Sequence, residues 1–142
     1  MAFEHLDHTA DTAVRVLGLD GPDLFREATR ALLSILLDEA SAPVADPEAI
    51  PIRMEAEDPE ALLIDYLNEL IFLFDTKRFL PSRLEVRGLR LEKPALLEGE
   101  VRGETYDPAR HRAKTEIKAA TFHGLEIRTI GGRLEAEVIF DL

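Results

Sequence analysis

The spacing of apolar residues changes at Pro81, and this change constrains the fold more than any other feature of the sequence. Before Pro81, two stretches repeat apolar residues at spacings of three and four, which is the pattern of a helix with a buried face. After Pro81, apolar residues recur at every second position, as in strands with one buried face, and we interpret this part as an antiparallel meander. The sequence therefore predicts an α+β fold, with a mostly antiparallel sheet covered by two α-helices.

Both predicted helices begin with the same signal, an aspartate at the N-cap followed by a proline in the first turn. The first helix starts after Asp20 and the second after Asp58. The second helix runs to about Thr76 and is apolar around much more than one face, so it is either central in the core or also serves a partner.

The strands are bounded by turn and loop signals. Prolines at 43, 47 and 51 predict a connecting loop over 41–51, and strands are expected over 13–19 and from Ile52 to Ala56. Gly131-Gly132 predicts a two-residue hairpin turn that pairs the strand ending at Ile130 with the last strand. Alternation in that last strand places four residues toward the core: Leu134, Ala136, Val138 and Phe140.

Length and charge limit the classes of protein this chain can belong to. With 142 residues, 46% of them hydrophobic, we expect a single domain over 1–142. The formal net charge of −11 repels a phosphate backbone, so direct, stable nucleic-acid binding is not expected. The start of the chain has no signal-peptide pattern and no apolar run is long enough to span a bilayer, so we expect a soluble cytoplasmic protein.

Several chemistries are excluded by the absence of their residues. The chain has no cysteine, which rules out disulfides, thiolate zinc sites and cysteine nucleophiles. It also lacks the glycine-rich, P-loop, zincin and nucleophile-elbow motifs, so nucleotide-binding and common hydrolase interpretations fail.

Acidic residues at both ends of the sequence form the first candidate site. The segment 5–11 (HLDHTAD) holds two carboxylates and two imidazoles, and taken alone it is typical of a solvated turn. Asp141 ends the last strand beside the terminal carboxylate of Leu142. It either frays into solvent or joins a hard-cation site with the C-terminus and another segment. Oxygen donors favour Ca²⁺, Mg²⁺ or Mn²⁺ as the bound ion. A site in which His8 or His123 is also a ligand would suit zinc or iron as well.

A second cluster concentrates cations in this acidic chain, over 103–111 and at Lys114 and Lys118. It is either a charged hairpin with ordinary surface ion pairs or an edge that faces a phosphate or carboxylate. His123, in an alternating strand pattern, is typical of a packed and hydrogen-bonded histidine.

An ordered set of motifs along the whole chain resembles the archease family. The motifs are LDHTAD at 6–11, YLNEL at 66–70, LFD at 73–75, Gly103-Glu104, Asp107, Arg110-His111, EIKA at 116–119, TFH at 121–123 and VIFDL at 138–142.

The resemblance implies an α+β protein that is not itself an enzyme but activates RtcB-type tRNA-splicing RNA ligases. Such proteins promote GTP-dependent guanylylation of the ligase and its multiple turnover. The resemblance also implies a divalent metal, Ca²⁺ in the family, held by residues that map onto Asp11, Asp141 and Leu142. Five further residues are expected to orient the metal ligands or to touch the ligase or its nucleotide: His8, Arg110, His111, Lys118 and His123.

Two other functions remain open from the sequence. The chain could be a chaperone or specificity modulator of another RNA-processing enzyme, such as a tRNA methyltransferase, with the apolar helix from Leu62 to Phe74 as its docking surface. It could also be an autonomous metal-dependent hydrolase, although no general base with a convincing local motif accompanies the acids. The sequence does not determine the oligomeric state.

Overall fold

Two antiparallel sheets and two helices form the described part of the chain, which comprises residues 2–7, 11–121 and 126–142, with 5–7 as backbone only. These are the elements of the computed structural model, and they confirm the predicted α+β class. In chain order they are β1 (Phe3–Asp7), β2 (Asp11–Gly18), α1 (Gly21–Leu36), β3 (Glu48–Ala56), α2 (Pro59–Lys77), β4 (Phe79–Arg90), β5 (Ala95–Thr105), β6 (Ala119–Thr121), β7 (Arg128–Ile130) and β8 (Arg133–Asp141).

The predicted meander is wrong, because the strands divide between two sheets. The first sheet has the order β1-β2-β8-β6, with β7 also paired to β8, and the second has the order β3-β5-β4. After β5 the chain crosses to the first sheet, where β2 from the start of the chain pairs with β8. A period of two shows which face of a strand is buried but does not identify the strand's partner.

The predicted loop over 41–51 is too long, because β3 begins at Glu48 and contains Pro51. A proline lacks the N–H that a central strand must donate, but β3 is an edge strand of the second sheet and pairs on one side only. The alternation of Ile117, Ala119 and Thr121, and of Leu125 and Ile127, predicts two further strands, and both begin later in the structure than this pattern does. Ile117 precedes β6, Ile127 precedes β7, and Leu125 lies outside the described residues.

The helix predictions are confirmed at their N-termini. The Asp20 carboxylate accepts the Asp23 N–H at 2.9 Å, and the Asp58 carboxylate accepts the Ala61 N–H at 2.8 Å. Helix α1 packs on β2 of the first sheet and β4 of the second, while α2 contacts β6 as well as the second sheet, so both helices join the two sheets. Neither described helix has the length and apolar character needed to span a membrane.

The predicted final hairpin is also confirmed. Ile130 pairs with Arg133, and Gly131 and Gly132 have φ angles of 58° and 80°, which glycine adopts without steric cost. In β8, Ala136, Val138 and Phe140 are buried and Leu134 is half-buried against the core. Asp141 therefore lies on the opposite face of the strand, as the alternation predicts.

Candidate functional site

Two carboxylates from distant parts of the sequence meet at one end of the first sheet. Asp11 begins β2, Asp141 ends β8, and the two residues are directly paired across these antiparallel strands. The register is fixed by the buried residues that follow Asp11 and precede Asp141, since a slip of one residue would turn them toward solvent. The packing of the core therefore places the two predicted metal ligands side by side.

A third strand completes this end of the sheet. Ala119 of β6 pairs with Asp141 on the side opposite β2, and the N–H of Lys118 donates to the backbone carbonyl of Asp141 at 2.8 Å. The side chain of Lys118 is exposed, and Leu142 packs against the core directly after Asp141. Of the predicted site residues, the structure thus brings together Asp11, Asp141, Leu142 and Lys118.

The donor set of this acidic pair suits a hard cation. Directly opposed residues of an antiparallel pair have Cβ atoms about 4.5–5.5 Å apart, and like charges at such positions destabilise the sheet. A divalent ion between Asp11 and Asp141 would remove that repulsion, and carboxylate oxygens are ligands that Ca²⁺, Mg²⁺ and Mn²⁺ accept. The Asp11 Oδ1 atom is enclosed by protein, which would hold it in a fixed position.

The acidic pair needs further oxygen donors to hold a metal. Among the side chains of residues 2–4, 11–121 and 126–142, no three His, Asp or Glu groups come together as a metal-binding group. Leu142 is the adjacent residue that could supply an oxygen beside the two aspartates, with water completing the shell. His8 and His123, which we predicted near this site, lie outside the described residues.

Arg110 and His111 belong to a different cluster, built around Glu104 on β5. Glu104 is 7% exposed and pairs with the Arg110 guanidinium, which forms hydrogen bonds to both carboxylate oxygens. Its Oε2 atom also lies 3.1 Å from Nε2 of His111 and accepts the Ala45 N–H at 2.6 Å.

The hydrogen bonds of His111 define its tautomer. The Asp107 N–H donates to Nδ1 of His111 at 2.9 Å, so Nδ1 carries no proton. The ring therefore donates through Nε2–H to Glu104 as a neutral imidazole. His111 is 1% exposed, so its side chain does not lie on the surface where a partner would touch it. Any influence of His111 on a partner would pass through Glu104 and Arg110.

The same contacts determine the charge of Glu104. The hydrogen bond from Arg110 lowers the pKa of Glu104 to about 2, and the Ala45 N–H and His111 contribute in the same direction against the opposing effect of burial. The carboxylate is thus ionised at neutral pH and fixes the connection between β5 and β6. This connection is not the hairpin that the sequence suggested, because β5 and β6 belong to different sheets.

Sequence reasoning missed a clamp beside the acidic pair. The Asn68 side chain of α2 accepts the Ala120 N–H at 2.8 Å and donates to the Ala120 carbonyl at 3.1 Å. These two hydrogen bonds satisfy the backbone N–H and carbonyl of Ala120 in β6. The preceding residue, Ala119, is the one that pairs with Asp141. The available signal was a lone amide on an otherwise apolar helix, and Asn68 is the only asparagine in the chain.

The fold and the acidic pair together define a class: small, acidic α+β proteins with a candidate cation site at the end of a sheet. Residues 3–142 match the model of the archease protein family. The chain is 38% identical to the protein archease of Methanopyrus kandleri over 142 residues, covering all of both chains. It is 30% identical to the protein archease of Pyrococcus furiosus over 141 residues, covering 99% of this chain and 98% of that one. The chain belongs to the archease family.

Solved structures agree with this assignment. The solution structure of Methanobacterium thermoautotrophicum protein 1598 matches with a TM-score of 0.81 at 33% identity, covering 99% of each chain. The crystal structure of a Thermotoga maritima protein, described as an archease and possible chaperone, matches with a TM-score of 0.64 at 26% identity, covering 96% of this chain and 94% of that one.

Proposed function

We propose that this protein activates an RtcB-type tRNA-splicing RNA ligase by promoting its GTP-dependent guanylylation and multiple turnover. The observation that carries the proposal is the pairing of Asp11 with Asp141 at the end of the first sheet, in a chain that belongs to the archease family. In this proposal the protein is a cofactor of the ligase and has no catalytic activity of its own.

The proposed activator uses a divalent metal, Ca²⁺ in the first instance, with Mg²⁺ and Mn²⁺ as alternatives. Asp11 and Asp141 would supply carboxylate oxygens from neighbouring strands, and Leu142 would supply a further oxygen. A bound divalent ion neutralises nucleotide phosphates and helps to position them for attack. The hydrogen bond from the Lys118 N–H holds the Asp141 backbone in place.

The charge of the chain supports docking onto a nucleic-acid enzyme. A ligase that binds RNA presents basic surface, and a net charge of −11 attracts such a surface while being repelled by RNA itself. The activator would therefore associate with the protein component of a ligase–RNA complex.

The proposal is tested by measuring GTP-dependent guanylylation of the cognate ligase with wild-type protein and with Asp11→Ala, in Mn²⁺ and in Mg²⁺. We expect stimulation to fall at least about tenfold in the variant, as when metal-site groups are removed. Glu137→Ala is the matched control, because Glu137 lies on the same face of β8 and pairs with Arg15 rather than with Asp11. No stimulation by folded wild-type protein would refute the activator function, and full stimulation by Asp11→Ala would refute the role of the metal site.

A chaperone or specificity modulator of another RNA-processing enzyme is the second candidate. The description of the Thermotoga maritima relative as a possible chaperone favours it. However, the docking surface we predicted for it is wrong in extent, because most of the helix from Leu62 to Phe74 is buried and Phe72 is its exposed large apolar residue. Suppression of client aggregation that persists in Asp11→Ala would support this candidate over the activator.

A further inference from the structure

The outer face of α2 combines an exposed aromatic ring with acidic side chains. At 3.6 residues per turn, six positions share this face, which we call the α2 outer face. Its residues are Asp65, Asn68, Glu69, Phe72, Asp75 and Thr76. Phe72 lies near the middle and is 56% exposed, whereas the rest of the helix contributes nine side chains to the core. Aromatic residues are enriched in protein interfaces, so the exposed ring together with the acidic side chains around it makes this face a candidate interface.

Three carboxylates lie around Phe72 on the α2 outer face. Asp65, Glu69 and Asp75 form no ion pair with any residue that the structure describes, and only partial burial acts on Asp65, raising its pKa. In the second sheet, by contrast, several glutamates form ion pairs with arginines on the same surface. Examples are Arg53–Glu98, Arg83–Glu85 and Arg87–Glu100. The α2 outer face therefore presents three carboxylates without an ion pair among the described residues around one apolar side chain, with Arg78 and Lys114 near only its Asp75 end.

We infer that the α2 outer face is a docking surface for a basic segment of a partner protein. An apolar side chain of the partner would cover Phe72, while its lysines or arginines would lie against Glu69 and Asp75. A second copy of this chain does not fit, because it would bring like carboxylates together, and a nucleic acid is repelled by the same charges. This docking surface rests on the proposed function, and it is the surface through which the protein would bind the ligase.

The position of this face connects docking to the acidic pair. Asn68, on the same face, binds the backbone of Ala120 in β6, and the preceding residue of β6 pairs with Asp141. Asp75, toward the other end, lines a cavity of about 710 Å³ together with Phe74, Tyr106 and Lys114. A partner seated over Phe72 would thus have the candidate metal site at one end of its contact and a concave surface at the other.

The experiment compares Phe72→Ala and the double variant Glu69→Lys/Asp75→Lys with wild type, using the purified cognate RtcB-type ligase as the probe. Dissociation constants are measured at low and high salt, and guanylylation is followed at saturating and limiting protein. Ile130→Ala and Glu92→Lys are the matched controls, because both positions are exposed and neither belongs to the α2 outer face. Circular dichroism and thermal melts check that each variant folds.

We expect Phe72→Ala to weaken binding about tenfold or more, as for an aromatic residue at the centre of an interface. The charge-reversed variant should lose more affinity at low salt than at high salt, and raising the protein concentration should restore guanylylation in both variants. The controls should bind like wild type. Wild-type affinity in the α2 variants, together with normal stimulation, would overturn the docking surface and leave the proposed function intact. Wild-type protein that neither binds nor stimulates the ligase would overturn both.

Discussion

Glu104 holds three parts of the chain together with one buried carboxylate. It receives hydrogen bonds from Arg110, His111 and the backbone of Ala45, which come from the β5–β6 connection and from the segment before β3. A buried charge is tolerated only when it is paired and hydrogen-bonded, and Glu104 satisfies both conditions. Removing the charge should therefore affect the connection that leads into the candidate site.

We predict that Glu104→Gln lowers the free energy of unfolding at pH 7 by about 2 kcal/mol, because it weakens a charge-assisted network. The native pKa of about 2 lies below the ordinary value of 4.5, so the carboxylate stabilises the native state above pH 4.5. That contribution is lost as the pH falls from 4.5 to about 2. Urea unfolding across this range should show a shallower pH dependence in the variant.

Glu92→Gln provides the control for this titration, since Glu92 is exposed and outside the network. It should keep the wild-type dependence on pH. An equally steep loss of stability in Glu104→Gln would show that other carboxylates dominate acid unfolding.

At the scale of elements, the clamp between α2 and β6 determines how the short third strand is held beside β8. Strand β6 covers only Ala119–Thr121, and its backbone is paired with β8 on one side and capped by Asn68 at Ala120. A strand of this length depends on such external hydrogen bonds because it forms few ladder bonds of its own. The clamp is therefore part of the support of Asp141.

We predict that Asn68→Ala lowers the free energy of unfolding by about 1–2 kcal/mol, because it leaves two backbone groups of Ala120 without their partner. The Ala120 amide should exchange with deuterium faster than in wild type, as measured by NMR or mass spectrometry. Thr76→Ala is the control, since its hydroxyl bonds to the Phe72 carbonyl within the same helix. Unchanged exchange at Ala120 would show that the clamp does not protect β6.

The elements that could be predicted from sequence are those set by local interactions. The N-caps at Asp20 and Asp58 and the turn at Gly131-Gly132 depend on residues only a few positions apart, and all are confirmed. Strand partners could not be predicted in this way, because any strand with one apolar face can pair with any other. In the Glu104 network, Arg110 and His111 are near Glu104 in sequence, but Ala45 is 59 residues away. The sequence therefore did not show that Glu104 is buried and left the cluster as either a charged hairpin or an anion-facing edge.

The candidate site was only partly accessible to the same reasoning. Alternation in β8 showed that Asp141 faces away from the core, but only the family resemblance pointed to Asp11 as its companion. The cross-strand pairing of these residues gives that expectation a physical basis. The hydrogen bonds between Asn68 and Ala120 could not be predicted from the sequence, because a polar residue on a helix is normally solvated.

At the scale of the whole molecule, the negative charge would link the proposed metal binding to stability. The chain carries a net charge of −11, and the acidic pair places two of its carboxylates side by side. Self-repulsion of this kind opposes the compact state until a cation compensates it. Ligands that bind only the folded state also raise its stability by mass action.

We predict that Ca²⁺ at about 100 times its dissociation constant stabilises wild-type protein by about 2.7 kcal/mol, seen as a rise in Tm. Asp141→Asn should show no such rise, and in chelator it should be at least as stable as wild type, because it lacks the repulsion with Asp11. Differential scanning calorimetry with Ca²⁺, Mg²⁺ and Mn²⁺ measures both effects. A wild-type Tm insensitive to all three ions would contradict the metal site.

The pairing of β2 with β8 also has a consequence for how the protein is made. Strand β2 is synthesised early and β8 late. The first sheet therefore lacks its central strand, β8, at a stage when α1, α2 and the whole second sheet have been synthesised and can fold. Pairings between distant segments form slowly because a long loop must close first. Asp11 and Asp141 therefore meet only when synthesis of this region is finished. A partly made chain cannot present the acidic pair, so any metal or ligase captured there is captured by the completed fold.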